Sequence, residues 1–147
     1  MFKHILVPTD GSKLSFKALD LAADMATSTD TKISVLHVCP TYPTMVGGDG
    51  YMVAPTTPKE WDASIAKLTA RIQALVEKRA LAKSVAVQFL SVTVDQPYSA
   101  IIDVAKRKKC DLIVMSSHGR KGISALLLGS ETTKVLTHCS IPVLVCR

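Results

Sequence analysis

Ser116-Ser117-His118-Gly119, nine intervening residues and then Gly129-Ser130 follow directly on the apolar run Leu112 to Met115. A strand that empties into a glycine-bearing loop, which in turn opens a helix, presents unpaired backbone N–H groups and a positive helix end to whatever sits above it. That is the chemistry of a phosphate cradle. Pro8-Thr9-Asp10-Gly11-Ser12 follows another apolar run near the start of the chain, and two such strand ends can converge on one ligand. The implied site is one for a nucleotide. Arg120 and Lys121 are the basic residues placed inside the loop, and His118 is either a plain loop residue or a direct phosphate contact. Asp10 also suits the role of cap for the helix after it, and Ser130 the role of cap for its own, which would coincide with phosphate binding because both use the helix start.

Several chemistries are excluded by what the chain lacks. A P-loop would need Gly-x-x-x-x-Gly-Lys-Ser/Thr, and none is present. A phospho-accepting receiver would want an aspartate at the end of the third strand, where Leu90 and Ser91 stand. His37 with Cys39, or His138 with Cys139, matches no zinc spacing, and no nucleophile with a partnered base stands out. A binding and regulatory module is therefore expected rather than an efficient enzyme, with at most slow hydrolysis. Magnesium would accompany such a nucleotide mainly through its phosphates.

Strands alternate with helices along the chain, the signature of a parallel sheet with crossover helices. Strands are expected at His4 to Val7, Lys32 to Val38, Val85 to Val92, Asp111 to Met115 and Ile141 to Cys146. A helix opening at Gly11-Ser12 should bury Leu14, Ala18, Leu21, Ala22 and Met25. Thr57-Pro58-Lys59-Glu60 reads as a capping box with proline in the first turn, opening a long helix whose inner stripe is Trp61, Ile65, Leu68, Ile72, Leu75 and Val76. Pro97 starts a helix with Tyr98, Ile101, Ile102 and Ala105 inside, and the last helix begins near Ser130. Leu126-Leu127-Leu128 would anchor the far end of the glycine loop. The connector Cys39 to Thr56, rich in proline and glycine, has no apolar period and is expected to be mobile or functional.

One domain, residues 1–147, suffices for 147 residues with 48% hydrophobic content. No apolar stretch approaches the roughly 20 residues of a membrane span and no signal-peptide pattern opens the chain, so the cytoplasm is the default address and no membrane partner is expected. The four cysteines form no Cys-x-x-Cys pair and should be reduced thiols. A net charge of +6 raises nucleic acid as a partner, but aromatics are only 5% and Lys106 to Lys109 sits where a helix ends, complementing its dipole. Nucleic acid is not the expected partner.

Ile5 to Ser12, His37-Val38, Asp111 to Met115 with Ser117-His118-Gly119, Leu126 to Ser130 and Ile141 to Val145 together resemble the universal stress protein family over essentially the whole chain. The resemblance implies an α/β, Rossmann-like open parallel sheet of order 3-2-1-4-5 flanked by helices. It also implies ATP binding through Gly-x-x-Gly, nine residues, Gly-Ser/Thr, in a stress-response module. By the same resemblance adenosine would lie near Pro8, Asp10 and Val38. The phosphates would lie near Gly119, Gly129, Ser130 and the N–H of Glu131, with Thr9, Met115, Ser116, His118, Arg120 and Gly122 completing the nucleotide-binding set. The first motif glycine is Ser116 here. If that position needs a conformation or close approach only glycine tolerates, its Cβ would obstruct the ligand; if it merely continues the strand, serine is harmless. A nucleotide-independent, dimeric interaction protein is the alternative. The resemblance further implies a homodimer, with the apolar fifth strand at the sheet edge pairing across a two-fold axis.

Overall fold

In the computed structural model, which describes residues 2–27, 29–43, 56–119 and 128–147, five strands and four helices alternate. They are β1 (His4–Pro8), α1 (Lys13–Ala26), β2 (Lys32–Cys39), α2 (Pro58–Ala82), β3 (Val87–Thr93), α3 (Pro97–Arg107), β4 (Leu112–Ser116), α4 (Ser130–His138) and β5 (Val143–Cys146). All strand pairs are parallel and the order is β3-β2-β1-β4-β5, as the resemblance implied. The expected strands all form, with ends shifted by one or two residues.

Alternation along the central strands sorts their side chains between two cores. Ile5, Val7, Ile33, Val35, Leu112 and Val114 face α1 and α2, meeting Phe16, Leu19, Ala22, Ile72 and Val76. Leu6, Leu36, Ile113 and Met115 turn the other way, onto Ile101, Val104, Ala105 and Val135 of α3 and α4. Each fully buried aliphatic side chain contributes roughly 1.5–3 kcal/mol of transfer free energy.

Two expected helix faces are corrected. On α1, Ala18 and Ala22 are buried, but Leu21 is 38% exposed and the contact surface is carried by Ser15, Phe16, Leu19, Ala23 and Ala26. Leu14 and Met25 are half-buried, and the inner face centres on Phe16 and Leu19 rather than on Leu14 and Leu21. On α2, the capping box forms as expected, Thr57 N–H donating to Glu60 Oε2 at 2.8 Å and Glu60 N–H to Thr57 Oγ1 at 3.3 Å. Its deep burial is confined to Ile72, Val76 and Ala80, while Leu75 is exposed and Trp61, Ile65 and Leu68 are only half-buried. Trp61 rests edge-on against Tyr42, ring centroids 6.1 Å apart. The α3 face is as expected, with Ile101, Ile102 and Ala105 buried. Most of the 39–56 connector lies outside the described residues, as do Leu126 and Leu127; Leu128 is exposed.

Candidate functional site

The chain runs outward from β1 to β2 and β3 on one side, and from β4 to β5 on the other, so β1 and β4 flank the topological switch point. Their ladder spans only Ile5↔Leu112 and Leu6↔Ile113, although β1 continues to Pro8 and β4 to Ser116. Pro8 has no N–H to extend a ladder. The loops leaving the two strands therefore border the same crevice.

The β1 loop is held from three sides. Thr9 N–H donates to Leu36 O at 2.8 Å, and the buried His37 donates from Nδ1 to Thr9 O at 2.9 Å, which places the ring proton on that nitrogen. Ser15 Oγ–H is spent on Ser12 O, so the 2.8 Å bond between Thr9 Oγ1 and Ser15 Oγ is donated by Thr9. Gly11 turns the chain with φ 78°, a conformation that suits glycine. Asp10 does not cap α1. Ser12 does, accepting Ser15 N–H at 3.1 Å, while Asp10 Oδ1 accepts Ser12 N–H at 3.0 Å and rigidifies the turn.

The β4 loop is tied down through its own backbone. Ser117 N–H donates to Cys146 O and Gly129 N–H to Ser117 O, each at 2.7 Å, and Thr132 Oγ1 donates to Ser116 O at 3.0 Å. These bonds seat the start of α4 on the end of β4. The cap of α4 is Gly129, in extended backbone, rather than Ser130, which is the first helical residue. Gly129 has no side chain to offer, so the first-turn N–H groups of Ser130, Glu131 and Thr132 receive no acceptor from their cap. A Cβ at Gly129 would meet Ser117 O at 3.0 Å, which explains the glycine by close backbone approach.

The two loops meet. A Cβ on Gly119 would stand 2.7 Å from Asp10 Oδ2, so only a residue without a side chain lets the β4 loop come this near the β1 loop. Ser116 ends β4 opposite Cys146 and is absent from the positive-φ residues, so the backbone there makes no demand for glycine. Pro8 and Val38 are half-buried at the ends of β1 and β2. Met115 is 5% exposed in the α3/α4 core, and His118 Nδ1 lies 3.0 Å from Ser117 Oγ. Arg120 and Gly122 are outside the described residues. The Glu131 carboxylate accepts Tyr98 N–H at 2.8 Å, supplying a cap for α3 that Gln96 does not, and pairs with Lys134 at 3.1 Å. His37, Thr132 and this role of the Glu131 side chain were not foreseen from sequence, because each acts on a residue far along the chain. Among the described residues no group of three or more His, Cys, Asp or Glu could hold a metal ion.

An open parallel sheet with helices on both faces and a glycine-bearing loop at its switch point defines the Rossmann-like class of α/β proteins. Within that class the chain belongs to the universal stress protein family, whose model matches residues 1–147. It is 32% identical to universal stress protein YxiE of Bacillus subtilis, over the full length of both chains. The solved structure of MJ0577, a universal stress protein of Methanocaldococcus jannaschii, superposes with a TM-score of 0.82 at 26% identity, covering 99% of this chain and 96% of that one. A universal stress protein solved in complex with cAMP shares the fold with a TM-score of 0.68 at 24% identity, covering 99% and 97%.

Proposed function

We propose that this chain is a regulatory stress-response module that binds an adenine nucleotide, ATP foremost, in the crevice between the ends of β1 and β4. The carrying observation is the close approach of Gly119 to Asp10, which brings two strand-end loops together beside the start of α4, where the cap Gly129 offers no side-chain acceptor. The triphosphate suits that helix start, whose N–H groups and dipole favour negative charge. Gly119, Gly129, Ser130 and the N–H of Glu131 would receive the phosphates, with Arg120 and Gly122 on the same loop. Pro8, Thr9, Asp10 and Val38 would border the adenosine, and magnesium would travel with the phosphates. The complex of a same-fold family member with cAMP supports an adenine ligand. The four free cysteines suit the reducing cytoplasm. Calorimetry of the purified protein with magnesium and ATP tests the reading; absence of binding at millimolar nucleotide overturns it in favour of a nucleotide-independent interaction protein.

The edge strand supports a homodimer as part of the same proposal. β5 is the last strand of the sheet, Leu144 on it is 38% exposed and Leu136 on α4 is 42% exposed. Unpaired edge groups beside apolar side chains favour pairing with a second copy. Light scattering should report a dimer that Val143→Lys with Val145→Lys splits; a monomer at high micromolar concentration removes the proposal.

A further inference from the structure

The opposite end of the sheet holds a cleft of about 580 Å³, within the roughly 300–1,000 Å³ span of small-molecule sites. Its lining brings together Lys3 before β1, Lys32 at the start of β2, and Lys108 and Lys109 after α3, with Asp30 the single carboxylate among the lining residues. The ion pairs among the described residues are formed by Arg79, Lys83 and Lys134, so none of these four lysines is neutralised by one. Lys3 and Lys32 lie outside any helix, so complementing a helix dipole does not account for them.

Lys109 adds a second kind of observation. Cys110 N–H reaches Ala105 O at 2.9 Å and Lys109 N–H reaches Lys106 O at 3.1 Å, which is the Schellman closure of α3 with Lys109 at the left-handed position. Its φ is 56°. Glycine is the usual occupant there, because a Cβ is disfavoured in that conformation. The closure of α3 thus fixes the backbone of Lys109 at the rim of the lysine-lined cleft.

We propose that this cleft is a second ligand site, for a small polyphosphate anion, either a free inorganic chain or the tail of a nucleotide. Lysine ammonium groups act as separate point charges, which suits a flexible chain of phosphates better than a planar carboxylate that an arginine fork would match. The site lies at the far end of the strands from the Asp10–Gly119 crevice, so it stands or falls independently of the nucleotide proposed there.

The experiment is calorimetry with sodium tripolyphosphate on a Gly119→Leu variant, in which the other crevice is blocked. Binding is expected, weakened about tenfold by Lys32→Gln combined with Lys109→Gly, and weakened by added salt. Lys109→Gly alone should lower the affinity while holding or raising the thermal midpoint, because it relieves the left-handed strain. Equal affinity for ATP and tripolyphosphate assigns the site to the phosphate chain from either source; tighter tripolyphosphate binding assigns it to the free chain. As a check that needs no variant, amide NMR of the unmodified protein should show shifts at Lys3, Lys32, Lys108 and Lys109. Unchanged affinity in the lysine variants, or shifts confined to Gly129 to Thr132, overturns the proposal.

Discussion

At one end of the sheet β1 and β4 give way to loops built from glycine and backbone N–H groups, where Asp10 and Gly119 touch and α4 starts without a side-chain cap. At the other end side chains and closed caps do the work. The Asp111 carboxylate accepts Lys3 N–H at 2.8 Å and His4 N–H at 2.9 Å, His4 donates to Lys108 O at 3.0 Å, and α2 and α3 close through left-handed Ser84 and Lys109. Burial, then the Asp111 charge, push the Cys110 thiol up to about 11, with Lys108 opposing, so it is an inert thiol at neutral pH. The difference follows from one polarity. Parallel strands with crossover helices direct their strand C-termini, and the N-termini of the helices that follow them, to the same end. That end offers donors to an anion with no side chain required, whereas an anion site at the opposite end, where the helices finish, calls for cationic side chains.

Breaking the first end should have the largest effect. Gly119→Leu places a side chain against Asp10 and should lower ATP affinity about a hundredfold or more, with an unchanged circular dichroism spectrum. Retained affinity would mean that the meeting of the two loops is not the site. Thr132→Val removes the buried donor to Ser116 O and should cost about 1–2 kcal/mol in urea denaturation, with a weaker nucleotide complex because the start of α4 loses its seat. An effect on neither measurement would count against that tie.

The opposite end is tested through Asp111. Burial opposes its charge, but the N–H groups of His4 and Lys3 outweigh it and hold the carboxyl below its ordinary value. A depressed folded-state value means that the stabilisation is present above the unfolded pKa, about 3.9, and is lost as pH falls through the lower folded one. Asp111→Ala should therefore cost about 1 kcal/mol near neutrality, allowing for solvent screening. The difference from the unmodified protein should shrink as the solution is acidified below that range; a constant difference would contradict the charge-assisted account. The smallest expected change is at Ser116. With ordinary strand backbone there, Ser116→Gly should alter ATP affinity by less than about threefold and lower stability by about 0.5–1 kcal/mol. A large gain in affinity would show that the Cβ obstructs the ligand after all.

Much of the fold was legible because it rests on local pattern. The five apolar runs, the Thr57 to Glu60 box and Pro97 at the head of α3 state their elements in a few adjacent residues. Where several faces of one helix are apolar, as on α1, pattern does not say which meets the sheet, and Leu21 fits the inward period although it is 38% exposed. The glycine spacing from Gly119 to Gly129 marks the loop that comes up against Asp10, but residue type alone suits Asp10 and Ser130 to capping where Ser12 and Gly129 fill those positions, since a cap is decided by the φ and ψ of one residue.

By itself the sequence determined the alternation of strand and helix, the family, and the two loops that could serve a phosphate, because each is encoded in residue type and short spacing. Only the tertiary structure decided that Asp10 meets Gly119, that His37 fixes Thr9, that the Glu131 side chain caps α3, and that four lysines from separate segments share one cleft. Those contacts join residues as many as 109 positions apart. They exist because the strand order folds distant segments onto common ends of one sheet, which no local preference of the chain records.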